Sequence, residues 1–429
     1  MTVVRHHTAV DGLDRFIPVR KSDILSALVE QGVFADDGER EKFCRLCEML
    51  AAIYHYDCFK MLERLRDDYY YFSPEVARHA AVDGLLVERS YADLVQTLDA
   101  VLKEANFVEV PHAEVGDAHR RRTVLRVEVK APLDDFREVR FYRRGRHDEQ
   151  FEVVDWFGVR RRTIQAEVYD DVVMMIATKS AAEVETRKLR RLQRRKIIPG
   201  SVLLKYFHNV ASSDLNALFP NVRVVMSRFD KLMLGVPALA GGIPILLNLY
   251  ATTAVLILVI GFYLGLGGTV ADKDMKTALA ALGGLVALGG FAMQQWVRYQ
   301  RQSLKYQVEL TENVYFRNIN NNMGIFDYLI GAAEDQEGKE VFLAYHFLHV
   351  AASPPTADEL DSRIEAWLLK TFGINLDFEV DGALDKLQRL GLLEREGERL
   401  FVSPLDGALA QLDRTWRGLF PREAQAAAQ

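Results

Sequence analysis

Cysteine is scarce, with three in 429 residues. That is too few for a disulfide framework and points to a reducing compartment for the soluble parts. Excess charge of one sign is also missing overall: 54 Lys and Arg stand against 60 Asp and Glu, a net charge of -6. The opening stretch MTVVRHHTAVDGLDRFIPVR has no apolar run for a signal peptide. It also carries Asp11 and Asp14, which a mitochondrial transit peptide tends to avoid. The chain contains no phosphate-cradling GxxxxGK[ST], no GxSxG, no HExxH and no DxDxDG, so the commonest signatures of nucleotide hydrolysis, serine hydrolysis, zinc proteolysis and calcium binding are excluded. Internal repeats and low-complexity linkers are absent as well.

Charge is missing altogether from Leu232 to Leu266 and again from Thr277 to Val297. Roughly 20 apolar residues suffice to cross a bilayer core, so the two runs predict spans at about 245–266 and 277–297. The stretch 232–244, broken by Gly235, Pro237, Gly241, Gly242 and Pro244, is a lead-in whose depth is open. The connector GGTVADKDMKT is too short to hold a domain, so the spans should form an antiparallel hairpin with both flanks on one side. Arg223, Arg228 and Lys231 precede the first span, and Arg298, Arg301 and Lys305 follow the second. Both termini should therefore face the cytoplasm. On the second span Ala280, Gly283, Gly284 and Ala287 share one face that permits close helix packing.

The remainder predicts an α+β protein. Residues 1–105 read as a helical region, since SDILSALVEQG, REKFCRLCEMLAAIYHYDCFKMLERLRDDYYYF and YADLVQTLDAVLKEA keep apolar residues at helical spacing. Residues 106–230 switch to period two in TVLRVEVK, REVRFYRRG, FEVVDWFGV and TIQAEVYDDVVMMIAT, which predicts a basic β-rich cytoplasmic unit. The transmembrane hairpin occupies 231–300, and an amphipathic helical connector, with a helix from about Met323 to Val350, occupies 301–353. Residues 354–429 hold a helix with a Thr356 and Glu359 capping box, a second helix and a turn-centred hairpin, a winged-helix-like pattern.

Cys44, Cys47, His55 and Cys58 have the residue types of a zinc site. On a continuous helix, however, Cys47 and His55 are separated by roughly 12 Å, so buried apolar cysteines are the better expectation. His346 and His349 are expected on a polar helix face. Gly265, Gly267 and Gly268 sit at a span end rather than between a strand and a helix, which is the wrong place for a dinucleotide loop. Asn248 is the main strongly polar side chain of the first span, which argues against a proton relay. No catalytic, cofactor-binding or metal residue is assigned. From His119 to Lys231 there are 25 Lys and Arg against 15 Asp and Glu, leaving 29 against 45 elsewhere. The run Arg187, Lys188, Arg190, Arg191, Arg194, Arg195 and Lys196 is the candidate contact for anionic lipid headgroups. Nucleic acid is not expected, because aromatic interleaving is weak and the tail 354–429 carries 9 Lys and Arg against 14 Asp and Glu.

The blocks DRFIPVRKSDILSAL, VRFYRRG, LLKYFHNVASSDLNALFPNVRVVMSRFDKLMLGVPAL, VYFRNINNNMGIFDYLIGAAEDQEGKEVFLAYHFL and FEVDGALDKLQRLGLL resemble, in this order, the transmembrane protein 143 family. That likeness runs from about Asp14 to Leu393 and implies paired membrane spans, but brings no reaction, substrate or catalytic residue. A bacterial inner membrane is the expected location, with a mitochondrial inner membrane as the alternative. The sequence supports a membrane-anchored scaffold or regulatory protein that contacts anionic lipid and, through its C-terminal module, a protein partner. Two alternatives stand beside it: a homo-oligomeric pore or lipid-handling protein, and an enzyme whose site lies in the β-rich unit near His208 and Asp214.

Overall fold

The computed structural model describes residues 13–32, 34–76, 84–111, 128–130, 136–155, 160–180, 183, 197–220, 223–225, 243, 247, 257–262, 264 and 271–419. The chain divides into two compact units: residues 1–124, 132–215 and 317–429 form the first, and residues 125–131 and 216–316 the second.

The first unit opens with helices α1 (Lys21–Gln31), α2 (Asp37–Tyr70) and α3 (Gly84–Glu104). Asp36 caps α2 by accepting from the Glu39 amide, as a short acceptor side chain at that position should. Strands β1 (Val108–Glu109), β3 (Phe136–Asp155), β4 (Arg160–Thr178) and β5 (Val202–Ala211) follow, and β7 (Asn318–Asn321) joins them from far along the chain. They make an antiparallel sheet in the order β1-β3-β4-β5-β7.

Two separate strands were predicted at REVRFYRRG and FEVVDWFGV; REVRFYRRG and the described FEVVD belong to one 20-residue strand, β3. The strand survives its RRG because Gly145 adopts a φ of 67°, a left-handed kink that glycine takes without steric cost. A β-carbon there would collide with the Asp170 carboxylate on β4. Gly145→Ala should thus lower stability by about 1–3 kcal/mol, read as an earlier midpoint in urea unfolding.

Helix α5 (Gly324–His349) is the axis of this unit. Its first part, Ile325, Phe326, Leu329, Ile330 and Ala333, packs into a core with α3, the second half of α2 and one face of the sheet, including Tyr142, Val173, Leu204 and Tyr206. Its last part, Val341 to Leu348, packs into another core with α1, the first half of α2 and the C-terminal elements. These elements are α6 (Ala357–Phe372), α7 (Val380–Arg389), the hairpin of β8 (Leu393–Glu396) and β9 (Arg399–Val402), and α8 (Leu405–Leu419). The predicted Thr356–Glu359 capping box is present at α6. Gly324–His349 falls in the segment predicted as an amphipathic connector, yet 17 of its 26 residues are buried, all round the helix.

The second unit contains β2 (Glu128–Lys130) paired antiparallel with β6 (Arg223–Val225), and the body of α4 (Asp272–Arg317). Two spans were predicted. Among the described residues one helix is long and apolar enough to cross a membrane, Met275–Arg301 within α4, and only 6% of its apolar window is buried. Most of the first predicted span, and the lead-in 232–244 except Ile243, lie outside the described residues. The second does not stop at Val297: α4 runs on to Arg317, because RQSLKYQVELTENVYF has neither glycine nor proline to break it.

Candidate functional site

The middle turn of α5 is polar in sequence, EDQEGKE, and lies between the two cores. Gln336, Glu337, Lys339 and Glu340 are all under 5% exposed. Burying charge costs several kcal/mol per ion unless it is paired, and each of these groups has a partner. Gln336 donates to and accepts from the Ile17 backbone, at 3.2 and 3.0 Å. Lys339 Nζ donates to Ile17 O at 3.0 Å and pairs with Asp335 at 2.5 Å; burial still lowers its pKa, against the pull of Asp335. Lys386, reaching in from α7, sits 2.9 Å from Glu337 Oε1 and 2.8 Å from Glu340 Oε2. Burial would lower its pKa, but Glu340 and then Glu337 raise it above the ordinary lysine value. The other oxygen of Glu340 accepts from Asn106 Nδ2 at 2.9 Å. Asn106 follows α3 with a φ of 58°, a left-handed helix end that asparagine tolerates.

A second array crosses the sheet. Register places Arg144, Asp171 and His208 side by side on β3, β4 and β5. Arg144 donates to Asp171 Oδ2 through Nε at 3.0 Å and Nη2 at 2.5 Å, and His208 Nδ1 lies 2.9 Å from Asp171 Oδ1. The guanidinium is held between the rings of Phe16 and Phe107, at 4.3 and 4.7 Å, a geometry that favours the planar cation. Burial would raise the Asp171 pKa, but the His208 hydrogen bond and then Arg144 bring it below the usual carboxylate value. Lys339 also faces Phe16, at 6.0 Å, and Arg144 Nη1 reaches Ala105 O at 3.4 Å. The polar groups of the sheet and of α5 are thus contiguous around the segment 14–17 and the end of α3.

The predicted residues fall in different places. His208 and Asp214 are not brought together: His208 is held by Asp171, while Asp214 lies beside Ser213 and 3.6 Å from Arg317. A carboxylate that fixes a half-exposed imidazole is part of a general-base constellation, and His208 meets that requirement. Cys47 lies in one core of α2 and Cys58 in the other, while His55 points outward to Glu334 at 3.0 Å. Burial pushes the Cys58 thiol up to about 12, as suits inert buried cysteines. His346 is not on a polar face. It packs against Phe34, Phe43 and Phe347, where burial, with His349 adding to it, lowers its pKa to about 4. Oxygens of Asp361, Glu365 and Asp377 converge within 4.8 Å, the donor type of a hard cation. Arg15 pairs with Asp377 and the Phe378 amide donates to Glu365. The predicted lipid contacts from Arg187 to Lys196 lie outside the described residues. On α4, Ala280, Gly283 and Ala287 are exposed and Gly284 is half-buried.

The Lys386, Glu337 and Glu340 triad and the Arg144 pair escaped the sequence reading. EDQEGKE lies inside the helix predicted from about Met323 to Val350, and nothing in that stretch names the partners its charges meet.

Residues 169–324 match a domain family described as a protein of unknown function, DUF3754. This domain takes in β4 from Tyr169 on, β5, β6, α4 and β7, and with them Asp171, His208, Asp214 and Arg317; Arg144, α2 and the C-terminal elements lie outside it. No solved structure matches the chain.

Proposed function

We propose that this protein is a membrane-anchored scaffold or regulatory protein whose first unit stands on the cytoplasmic side and presents its C-terminal elements to a protein partner. The observation that carries this reading is the Met275–Arg301 segment, uncharged from Thr277 to Val297 and almost wholly uncovered along its apolar window. Leu279, Leu282, Leu285, Val286 and Met293 are exposed on it, a surface that lipid would cover at about 25 cal/mol per Å². Its end also has the chemistry of an interface. Trp296 and Tyr299 stack 6.3 Å apart, and Arg298, Arg301 and Lys305 surround and follow them, the aromatic belt and positive flank of a cytoplasmic boundary.

Chain connectivity adds a constraint. Strands β5 and β7 are neighbours in one sheet but lie before and after α4 in sequence. If α4 crosses the bilayer, the chain must cross once more between residues 226 and 271. The uncharged run Leu232–Leu266 is proposed for that second passage; of its described residues Ile257, Leu258, Ile260, Phe262 and Leu264 are exposed, while Val259 is buried. Paired spans are also what the resemblance to the transmembrane protein 143 family implies, and a bacterial inner membrane is the proposed location, ahead of a mitochondrial one. The α6, α7, β8–β9 and α8 arrangement is winged-helix-like, with Leu369 and Phe401 exposed. Its acidic balance suits a protein partner rather than nucleic acid. The basic run 187–196 is proposed to meet anionic headgroups.

A second reading, a homo-oligomeric pore or lipid-handling assembly, draws on the exposed small-residue face of Ala280, Gly283 and Ala287. One experiment separates the two. The full chain should stay with the membrane pellet through alkaline carbonate extraction, and its mass after gentle detergent release should include a stoichiometric foreign protein. Release into the carbonate supernatant overturns the anchor. A homo-oligomer carrying only lipid favours the second reading.

A further inference from the structure

We propose that the junction of α2, α3, α5 and α7 is a proton-operated switch, in which Glu104 takes up a proton and Lys386 with its two carboxylates ties the C-terminal elements to the rest of the unit. The arrangement is acid-rich: Glu337, Glu340 and Lys386 are buried, Glu104 is part-buried beside them, and Asp57 and Arg389 lie at its exposed edge. Glu104 is the last residue of α3, the negative end of the helix dipole, where a carboxylate is disfavoured. Its Oε2 is buried without a hydrogen-bond partner, and so is the hydroxyl of Tyr54 on α2.

The charges that face Glu104 come from every helix around it. From α5 comes Glu337, which shares Lys386 with Glu340. Lys386 and Arg389 come from α7, and Asp57 from α2, with the Tyr54 and Cys58 side chains beside them feeling the same carboxylates. Acids therefore outnumber bases, and the main cation is already committed to two carboxylates at 2.9 and 2.8 Å. A neutral Glu104 removes one negative charge from this set and supplies a donor to it. Burial first and Glu337 second push the Glu104 pKa up to about 7, against the pull of Lys386 and Arg389. The folded junction then holds a proton that the unfolded chain, titrating near 4.5, releases. That contribution is present at low pH and is lost as pH rises through about 7. What alkalinity loosens is the seat of α7, and with it the surface of the C-terminal elements.

The test is hydrogen exchange on the full chain in detergent at pH 6 and pH 8, corrected for intrinsic rates. Amides of residues 380–389 should be about tenfold better protected at pH 6, as one proton bound only by the closed state requires. In Glu104→Gln the difference should vanish, with protection at both pH values at or above the wild-type level at pH 6. Asp361 on α6, which burial and then Glu365 push up to about 6, is the control: Asp361→Asn should keep the tenfold difference. Equal protection of the wild type at both pH values overturns the switch, and so does a pH dependence that persists in Glu104→Gln. As a second variant, Glu337→Gln leaves Lys386 with Glu340 and should move the midpoint below about 7. An unmoved midpoint also overturns the proposal.

Discussion

Lys386→Met should lower the stability of the first unit by about 3–5 kcal/mol, the range for removing one partner from a buried ion pair. The methionine fills a similar volume in the groove between α7 and α5, so the loss is electrostatic. Glu337 and Glu340, with 4% and 2% of their surface exposed, would lose the ammonium that lies within 2.9 Å of both. Thermal unfolding followed by tertiary-structure signals measures the effect. Replacing all three groups by apolar residues of similar size should recover most of the loss, because the desolvation cost then disappears together with the attraction. A single-variant loss below about 1 kcal/mol, the scale of an exposed pair, would mean that water reaches these carboxylates and that the middle of α5 is not dry.

Asp171→Ala should cost a similar amount, about 3–5 kcal/mol. Arg144 is 8% exposed and cannot lose its charge. Without Asp171 it keeps the Phe16 and Phe107 rings, contacts that are worth about 2 kcal/mol when desolvated but are present in both variant and wild type. The pair also sets an acid limit. The Asp171 pKa is held below its ordinary 3.8 in the folded state, so its contribution is complete above that value and is lost as pH falls through the folded value. Asp171→Asn should flatten this acid limb of the stability profile, read by urea unfolding at pH 3 and pH 6. An unchanged limb would place the sensitivity on another carboxylate.

Much of the architecture could be read from the residues, where local rules act. The Thr356–Glu359 box needs only its own turn, and it is present. The helices α1 to α3 follow the apolar spacing of their own sequences, and among the described residues the period-two stretches REVRFYRRG and TIQAEVYDDVVMMIAT lie in strands. The misreadings share a cause. β3 was read as two strands, while its continuity depends on Gly145 passing the Asp170 side chain on another strand. His346 was expected on a polar face because its neighbours in sequence say nothing of Phe34 and Phe43, which surround it. The pairing in the polar middle of α5 is not legible in that stretch because its partners come from elsewhere: Ile17, Asn106 and Lys386. A charge is legible in a sequence, but whether it is paired is a property of the folded chain.

The position of β7 imposes an order on the birth of this protein. Its partner β5 leaves the ribosome more than a hundred residues before it, and α4 comes in between. The central helix α5, which supplies part of both cores, is made later still. Until then α3 and the sheet hold an incomplete core with an open strand edge, the kind of species that aggregates during slow, non-local folding. The first unit therefore cannot finish folding before the apolar segment has been synthesised. On the proposed anchoring of α4 in a membrane, a nascent chain that stalls or misplaces that segment also leaves the first unit without its axis, so failed insertion would reach quality control as an unfolded domain.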